Sequence, residues 1–214
     1  VDGVVTIPDA NLEAAIRQSL SMATGDITRR DMLRLQYLAA QNVQNLTGLE
    51  NAVNLYSLQL NNSLVVNWSP LGLLSNLGEL RLFSCGFSDA TVLQGLVRLR
   101  EAYLGANLIS DLTPFRNLPS LETLAIDGDN PVEDLSPLVG SPKLRYLAVG
   151  RTVLDSLVPL TQMPTLRSVG FQQTTVADWT PLGSMTWLQE LRIYDCGLTD
   201  LSPFASLTEL TQVA

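Results

Sequence analysis

Residues 99–109 read LREAYLGANLI, and variants of this segment recur along most of the chain. Positions 1, 4, 6 and 11 of the segment are apolar, and position 9 is asparagine. The leading leucine returns every 22 residues, with one step of 23, at Leu55, Leu77, Leu99, Leu121, Leu144, Leu166, Leu188 and Leu210. A fixed period of this length indicates a stack of similar coils, in which each coil buries its apolar residues against the next.

Each repeat has two halves with different physical properties. The first half alternates apolar and polar residues, which predicts a short strand with its aliphatic side chains facing inward. The second half reads DLTPF at 111–115, with close variants at 134–138, 178–182 and 200–204. Proline fixes φ and lacks a backbone donor, so we expect a turn or short 3₁₀ segment on the convex side. The pattern is that of leucine-rich repeats, and it predicts an α/β solenoid whose parallel strands form a concave face.

The start of the chain lacks this repeat and predicts a helical cap. Residues 8–20, PDANLEAAIRQSL, place Leu12, Ile16 and Leu20 on one face of a helix that Asp9 is suited to begin. A solenoid needs such a cap because its terminal leucine layer would otherwise meet water.

We therefore divide the chain into an N-terminal helical cap, residues 1–34, and leucine-rich repeats, residues 35–214. The repeats comprise about eight units, of which the last is incomplete. Thr28 followed by Asp31 predicts a second short helix within the cap. The sequence stops at Ala214 inside a unit, which leads us to expect further domains beyond it.

Composition argues against several classes of function. Histidine is absent from the 214 residues, which removes Ser-His and Cys-His nucleophile pairs and histidine-ligated metals. We accordingly expect no enzyme activity, no cofactor and no metal site. The net charge of -8 disfavours nucleic acid, because phosphate binding requires a cationic surface. No apolar run reaches the roughly eighteen residues that a membrane span needs, so we expect no membrane insertion.

The two cysteines lie in nearly identical segments, GELRLFSCG at 78–86 and QELRIYDCG at 189–197. Cys85 and Cys196 both occupy position 9, where a small polar group can bond to the backbone of its own loop. They lie five units apart, or about 24 Å at the usual strand spacing, whereas a disulfide needs Cα atoms about 4.4–6.8 Å apart. We predict two free thiols in a structural column, and a five-unit duplication as the origin of the two segments.

Several segments resemble the bacterial leucine-rich repeat proteins of the internalin type. They are IPDANLEAAI at 7–16, GDIT at 25–28, LTGLENAVNL at 46–55 and the 22-residue unit with DL(S/T)P. The resemblance implies an extracellular or bacterial cell-surface module with a role in adhesion or virulence. It also implies that the concave face binds a protein partner, such as a host or envelope protein.

The outward strand positions form a candidate binding face. Six arginines and six acidic residues occupy them, so the face is neutral although the chain is acidic. Arginine and tyrosine carry much of the energy of protein interfaces. The residues that we predict to contact a partner are Arg81, Phe83, Tyr103, Tyr146, Arg192, Tyr194 and Trp187. Small residues beside them predict a floor that a partner can approach closely, at Gly105, Ala125, Ala148, Gly150 and Gly170.

Two of these interpretations have structural alternatives. Arginine and tyrosine also solubilise a wide sheet while covering its apolar parts. Trp187, a large apolar residue in an otherwise polar column, is suited either to anchor a ligand or to contact units beyond Ala214. Part of the surplus acid has a structural explanation, because one aspartate column lies where its side chains can bond to the convex turns: Asp89, Asp111, Asp134, Asp178 and Asp200.

The extra residue of the fifth unit lies in DGDNP at 127–131, where Asp127 and Asp129 raise the question of calcium. The glycine is misplaced for an EF-hand loop, so a bulged turn is the preferred interpretation. Two alternatives to a surface binding module also stay open at this point. One is a substrate-recognition fragment of a larger enzyme or effector, and the other is an intracellular regulatory scaffold.

Overall fold

The computed structural model describes residues 3–213 and confirms the predicted α/β solenoid. Eleven strands occur within these residues: β1 Tyr37–Gln41, β2 Ser57–Asn61, β3 Glu79–Phe83, β4 Glu101–Tyr103, β5 Thr123–Ile126, β6 Tyr146–Gly150, β7 Val153–Leu154, β8 Ser168–Gln172, β9 Thr175–Val176, β10 Glu190–Tyr194 and β11 Gln212–Val213. Apart from β7 and β9, which pair with each other, they form one parallel sheet in chain order. Val1 and Ala214, the ends of the predicted cap and repeat regions, lie outside the described residues.

Short 3₁₀ segments occupy the convex side of the coils, as the proline pattern predicts. They span Leu49–Asn51, Ser69–Leu73, Ala90–Leu93, Thr113–Phe115, Ser136–Leu138, Val158–Gln162, Thr180–Ser184 and Ser202–Phe204. Six of them carry proline at their first or second position, where the missing backbone N–H has no intrahelical partner to lose.

The register between strands equals the sequence repeat, which stacks equivalent side chains. Leu58 pairs with Leu80 across β2 and β3, and Leu124 pairs with Leu147 across β5 and β6 despite the 23-residue step. Leu124, Leu147 and Leu191 are all fully buried, as predicted. Each buried leucine contributes roughly 1.5–3 kcal/mol to stability. The stacked leucines therefore hold the coils together and leave the alternate side chains facing outward.

Position 9 of the repeats forms a buried polar column beneath the ends of the strands. Asn107, only 2% exposed, accepts hydrogen bonds from the backbone N–H groups of Cys85 at 3.0 Å and Phe87 at 3.1 Å. The Cys85 thiol donates to the backbone carbonyl of Leu60 at 3.3 Å. Cys85 and Cys196 are both free thiols, as predicted.

The extra residue of the fifth unit is absorbed by a turn. Gly128 and Asp129 adopt left-handed backbone conformations with φ of 70° and 61°. The turn moves the buried amide of the polar column from position 9 to Asn130, which accepts from Ile109 and donates to the Leu104 carbonyl. Asn130 thus makes the same kind of backbone hydrogen bonds as Asn107, but from one position later in its unit. This agrees with the bulged turn that the sequence favoured.

The aspartate column bonds to the convex turns, as expected. Each of its five side chains accepts a hydrogen bond from the backbone N–H two residues further on. The Ser202 hydroxyl and backbone N–H both donate to the Asp200 carboxylate and lower its pKa below the ordinary value. These five aspartates therefore stabilise the convex turns, and their negative charge need not be explained by a positively charged ligand.

The cap contains helix α1, Ala10–Leu20, and helix α2, Arg29–Met32, both near their predicted places. Asp9 accepts from two N–H groups in the first turn of α1 and from Gln44 and Asn45 in the first coil, which ties the helix to the solenoid. Burial alone would raise the pKa of Asp9, but these four hydrogen bonds outweigh it and lower the pKa. Within residues 3–213 no helix has the length and apolar character needed to cross a membrane.

Candidate binding surface

The concave face consists of three outward-facing columns that run across the strands. The middle column is defined by the strand pairing and reads Ala39, Gln59, Arg81, Tyr103, Ala125, Ala148, Gly170 and Arg192. Its three smallest consecutive members, Ala125, Ala148 and Gly170, are flanked by Tyr103 and Arg192. The three small residues, which we call the floor, leave the surface of the sheet low between the large side chains of Tyr103 and Arg192. This difference in side-chain size produces a concavity.

We call this concavity the central depression. It has a volume of about 550 Å³, and its lining includes the small floor together with Tyr103, Asp127, Tyr146, Gln172, Arg192 and Tyr194. The strands that bear Tyr103 and Arg192 are four strand spacings apart, or about 19 Å. The depression is therefore wide enough to admit side chains of a partner protein.

One wall of the central depression is held in place by a network on β3 and β4. The Arg81 guanidinium lies 4.0 Å from the centre of the Tyr103 ring and 2.5 Å from the Glu79 carboxylate. The Tyr103 hydroxyl donates to Glu101 at 2.9 Å. Burial and the neighbouring Glu101 raise the pKa of Tyr103, so its hydroxyl stays protonated at neutral pH. These contacts fix the orientation of the ring before any partner arrives.

The opposite wall has a similar network on β8 and β10. Glu190 binds Arg192 at 2.5 Å and accepts a hydrogen bond from the Ser168 hydroxyl. Tyr146, half-buried on β6, has its pKa raised by burial, and the nearby Arg192 opposes that rise. Both walls thus present tyrosine together with an arginine that is already paired with a glutamate of its own strand.

Asp127 separates the central depression from a smaller concavity of about 220 Å³ that is lined by Arg81, Phe83, Tyr103 and Gly105. A Cβ atom added to Gly105 would lie 3.3 Å from the Asp127 carboxylate, and one added to Gly150 would lie 3.2 Å from the Asp127 Cβ. Any larger residue at Gly105 or Gly150 would therefore crowd the Asp127 side chain. The sequence placed Asp127 on the concave face and raised it as a candidate calcium ligand, but its place between the two concavities was missed.

The structure brings six of the seven predicted contact residues together. Tyr103, Tyr146, Arg192 and Tyr194 line the central depression, and Arg81 and Phe83 line the smaller one. Phe83 is 55% exposed and Tyr194 is 47% exposed, which is unusual for aromatic side chains of this size. Of the five predicted small residues, Ala125, Ala148 and Gly170 line the central depression and Gly105 lines the smaller concavity, whereas Gly150 lies beside Asp127 and lines neither.

Trp187 lies apart from the other six residues. It precedes β10, packs partly buried against the core, and is absent from the lining of both concavities. Its indole N–H is buried and has no hydrogen-bond partner among residues 3–213. Its contact with a partner stays a prediction, and its place in the fold gives that contact no geometric support.

The acidic residues of the turn in the fifth unit, which raised the question of calcium, make contacts within the fold. Asp129 forms a salt bridge with Arg151 at 3.3 Å, and Asn130 is committed to backbone hydrogen bonds. In the part of the chain that the structure describes, no group of three or more metal-ligating side chains comes together.

The repeat pattern and the fold both have clear parallels among known proteins. A family model for two copies of leucine-rich repeats matches residues 97–140. The repeats of this chain are therefore leucine-rich repeats. Curated relatives include leucine-rich repeat-containing protein 56 of Rattus norvegicus, 38% identical over 97 residues, and that of Homo sapiens, 40% identical over 95 residues. Each match covers 44% of this chain and 16% of the relative, so only a small part of those proteins is compared.

Two solved structures match almost the whole chain. Internalin C2 of Listeria monocytogenes superposes with a TM-score of 0.86 at 28% identity, covering 97% of this chain and 93% of that one. A second internalin of the same organism, inlF, gives a TM-score of 0.86 at 31% identity, covering 97% of this chain and 62% of that one. The chain is therefore a leucine-rich repeat solenoid with strong structural similarity to internalins.

Proposed function

We propose that this chain is a non-enzymatic protein-binding module of a bacterial secreted or cell-surface protein. In this proposal the concave face recognises a host or envelope protein. The observation that carries the proposal is the central depression, whose tyrosine and arginine walls stand over a floor of alanine and glycine. Leucine-rich repeats are typically binding scaffolds, and the matches indicate no catalytic family.

The composition and rigidity of the concave face support binding to a protein. Tyrosine and arginine are enriched among interface residues that dominate binding energy. The backbone beneath them is a continuous ladder of parallel strands, and Arg81 and Tyr103 are already held in place by their neighbours. A preorganised surface loses little conformational entropy on binding, so a larger share of the contact energy becomes affinity.

The proposed location follows from the similarity to internalins. Both solved internalins match nearly all of this chain, including the N-terminal cap. The relatives also include mammalian proteins, so the repeat itself does not distinguish a bacterial from a eukaryotic source. Detection of the natural protein on intact cells, by an antibody raised against this chain, tests the location directly. Labelling that requires permeabilised cells would contradict it.

The binding proposal is tested with a pair of substitutions on opposite sides of one coil. Ala148→Arg fills the floor of the central depression, and Gln162→Arg adds the same side chain at an exposed convex position. Proteins captured from a displayed library of extracellular domains should bind the Ala148→Arg variant at least about ten-fold more weakly. The convex variant should bind like the wild type.

Two further variants test the wall of the depression. Tyr103→Ala and Arg81→Glu should weaken the same captured partner without changing the thermal midpoint appreciably, because both side chains lie on the surface of the sheet. Equal capture by all concave variants, together with loss of capture by Gln162→Arg, would show that the partner uses the convex side. That result would refute the proposal.

A further inference from the structure

The arginines beside the central depression are already neutralised. Arg81 lies 2.5 Å from Glu79, and Arg192 lies 2.5 Å from Glu190, each pair on a single strand. Because the two members of each pair have opposite charge, neither arginine adds a net positive field to the depression. An acidic group of a partner would therefore have to displace a glutamate before it could form a full salt bridge here.

The Asp127 carboxylate, in contrast, has no compensating charge. The salt bridges and side-chain hydrogen bonds formed within residues 3–213 do not include it. Gly105 and Gly150 lie on either side of it in the adjacent coils, so neither adjacent coil places a side chain beside it at this level. The nearby Glu101 is bonded to the Tyr103 hydroxyl, a neutral donor that leaves the negative charge in place.

The local field of the central depression is thus negative, and its walls are aromatic. Lysine and arginine match both features, since their apolar stems pack on tyrosine rings and their charged heads are attracted to ring faces and carboxylates. The floor of Ala125, Ala148 and Gly170 leaves about 550 Å³ for such a side chain. An acidic side chain would meet Asp127, and an aliphatic one would leave that carboxylate desolvated without a partner.

We propose that the central depression receives a lysine or arginine side chain of the protein partner, with its positive charge against Asp127. This inference rests on the proposed function and specifies the chemistry of the partner. The partner surface should therefore present a protruding basic residue within a patch that the rest of the concave face can cover.

The test uses short peptides in place of the unidentified partner. N-acetyl-glycyl-lysyl-glycine amide and its arginine analogue are titrated into the whole ¹⁵N-labelled chain. The norleucine and glutamate analogues serve as controls of similar length. Binding is followed through the backbone amide signals of Ala125, Ala148 and Gly170. We expect the two basic peptides to shift these signals with dissociation constants of about 1–10 mM, since one exposed side chain offers only a few kcal/mol of binding energy.

The role of the carboxylate is tested with a matched pair of variants. Asp127→Asn and Asp129→Asn remove the same charge within one turn, but Asp129 is exposed and is already paired with Arg151. We expect Asp127→Asn to weaken the lysine peptide about three- to five-fold and Asp129→Asn to leave its affinity unchanged. The difference should shrink at high salt, because screening weakens exposed charge pairs.

The outcomes separate this inference from the proposed function. Equal binding of the norleucine or glutamate peptide, or no effect of Asp127→Asn, would overturn the basic side chain as the occupant. If Ala148→Arg still abolishes partner capture in that case, the concave face remains the binding surface. If the basic peptides bind but Ala148→Arg leaves partner capture intact, the proposed concave binding of a protein fails, and the inference fails with it.

Discussion

Asn107 offers the most direct test of how the coils are held together. Its side-chain oxygen accepts from the N–H groups of Cys85 and Phe87 in the preceding coil. Its side-chain nitrogen donates to the carbonyl groups of Leu82 at 2.9 Å and Leu104 at 3.0 Å. One buried amide therefore joins two coils through hydrogen bonds that water cannot replace.

Replacing Asn107 with alanine removes only a few atoms, but we expect it to lower the free energy of unfolding substantially. Two buried N–H groups lose their acceptor, and each unpaired buried donor costs about 1–3 kcal/mol. The carbonyl groups lose a donor, but an oxygen that is bonded elsewhere is penalised less. We expect Asn107→Ala to lower the free energy of unfolding by about 3–5 kcal/mol, and Asn107→Thr to lower it by about half as much.

The measurement is urea unfolding followed by far-ultraviolet circular dichroism and by tryptophan fluorescence. Asn117→Ala is the control, because Asn117 is exposed on the convex side, and it should change the free energy of unfolding by less than about 0.5 kcal/mol. If Asn107→Ala costs less than about 1 kcal/mol, the buried hydrogen bonds do not hold adjacent coils together, and stacking of leucines alone would have to explain the stability.

Three other predictions follow from individual contacts. Because hydrogen bonds lower its pKa in the folded state, Asp9 should stabilise the cap fully above the pKa of an unfolded aspartate, about 4. Asp9→Asn keeps one acceptor oxygen where Asp9 accepts on both, so it should cost about 1–2 kcal/mol there, and the difference should be lost as the pH falls through the lowered pKa in urea titrations. Gly183→Ala should destabilise by about 1–3 kcal/mol, since its Cβ would lie 2.2 Å from the next coil's backbone oxygen, while Gly95→Ala meets only ordinary contacts and should be neutral; thermal denaturation measures both. Cys196, half-buried, should react with a thiol reagent at least about ten-fold faster than the buried Cys85, and equal rates would contradict the position of Cys85 in the core.

The scaffold was predictable because its determinants repeat within the sequence. Leu124 and Leu147 occupy equivalent positions of successive units, and the strand register places them side by side. A side chain that fills the same position in every coil must meet its own counterpart, so one repeat predicts all contacts of its column. The same logic identified the polar column of Asn107 and the aspartates that bond to the convex turns.

The central depression was harder to predict because it depends on differences between repeats. The sequence indicated small and aromatic residues of the face, and the structure places most of them around the two concavities, with Trp187 and Gly150 as exceptions. It did not indicate Asp127 as an uncompensated charge, because the extra residue of the fifth unit drew attention to calcium. The sequence pattern also does not show which arginines are paired with a carboxylate. That pairing depends on side-chain rotamers and distances, such as the 2.5 Å contact between Arg192 and Glu190.

The duplication that we predict from the two nearly identical cysteine-containing segments would account for the shape of the face. GELRLFSCG supplies β3 and QELRIYDCG supplies β10, and in both copies the Glu-x-Arg motif forms the same 2.5 Å salt bridge. The copies lie five strand spacings apart, or about 24 Å, with smaller side chains on the middle column between β4 and β10. Each copy ends its strand with an exposed aromatic residue, Phe83 or Tyr194. A duplication that preserves the buried scaffold therefore also places large groups at both ends of a bare floor, and divergence of the intervening coils is sufficient to create the depression.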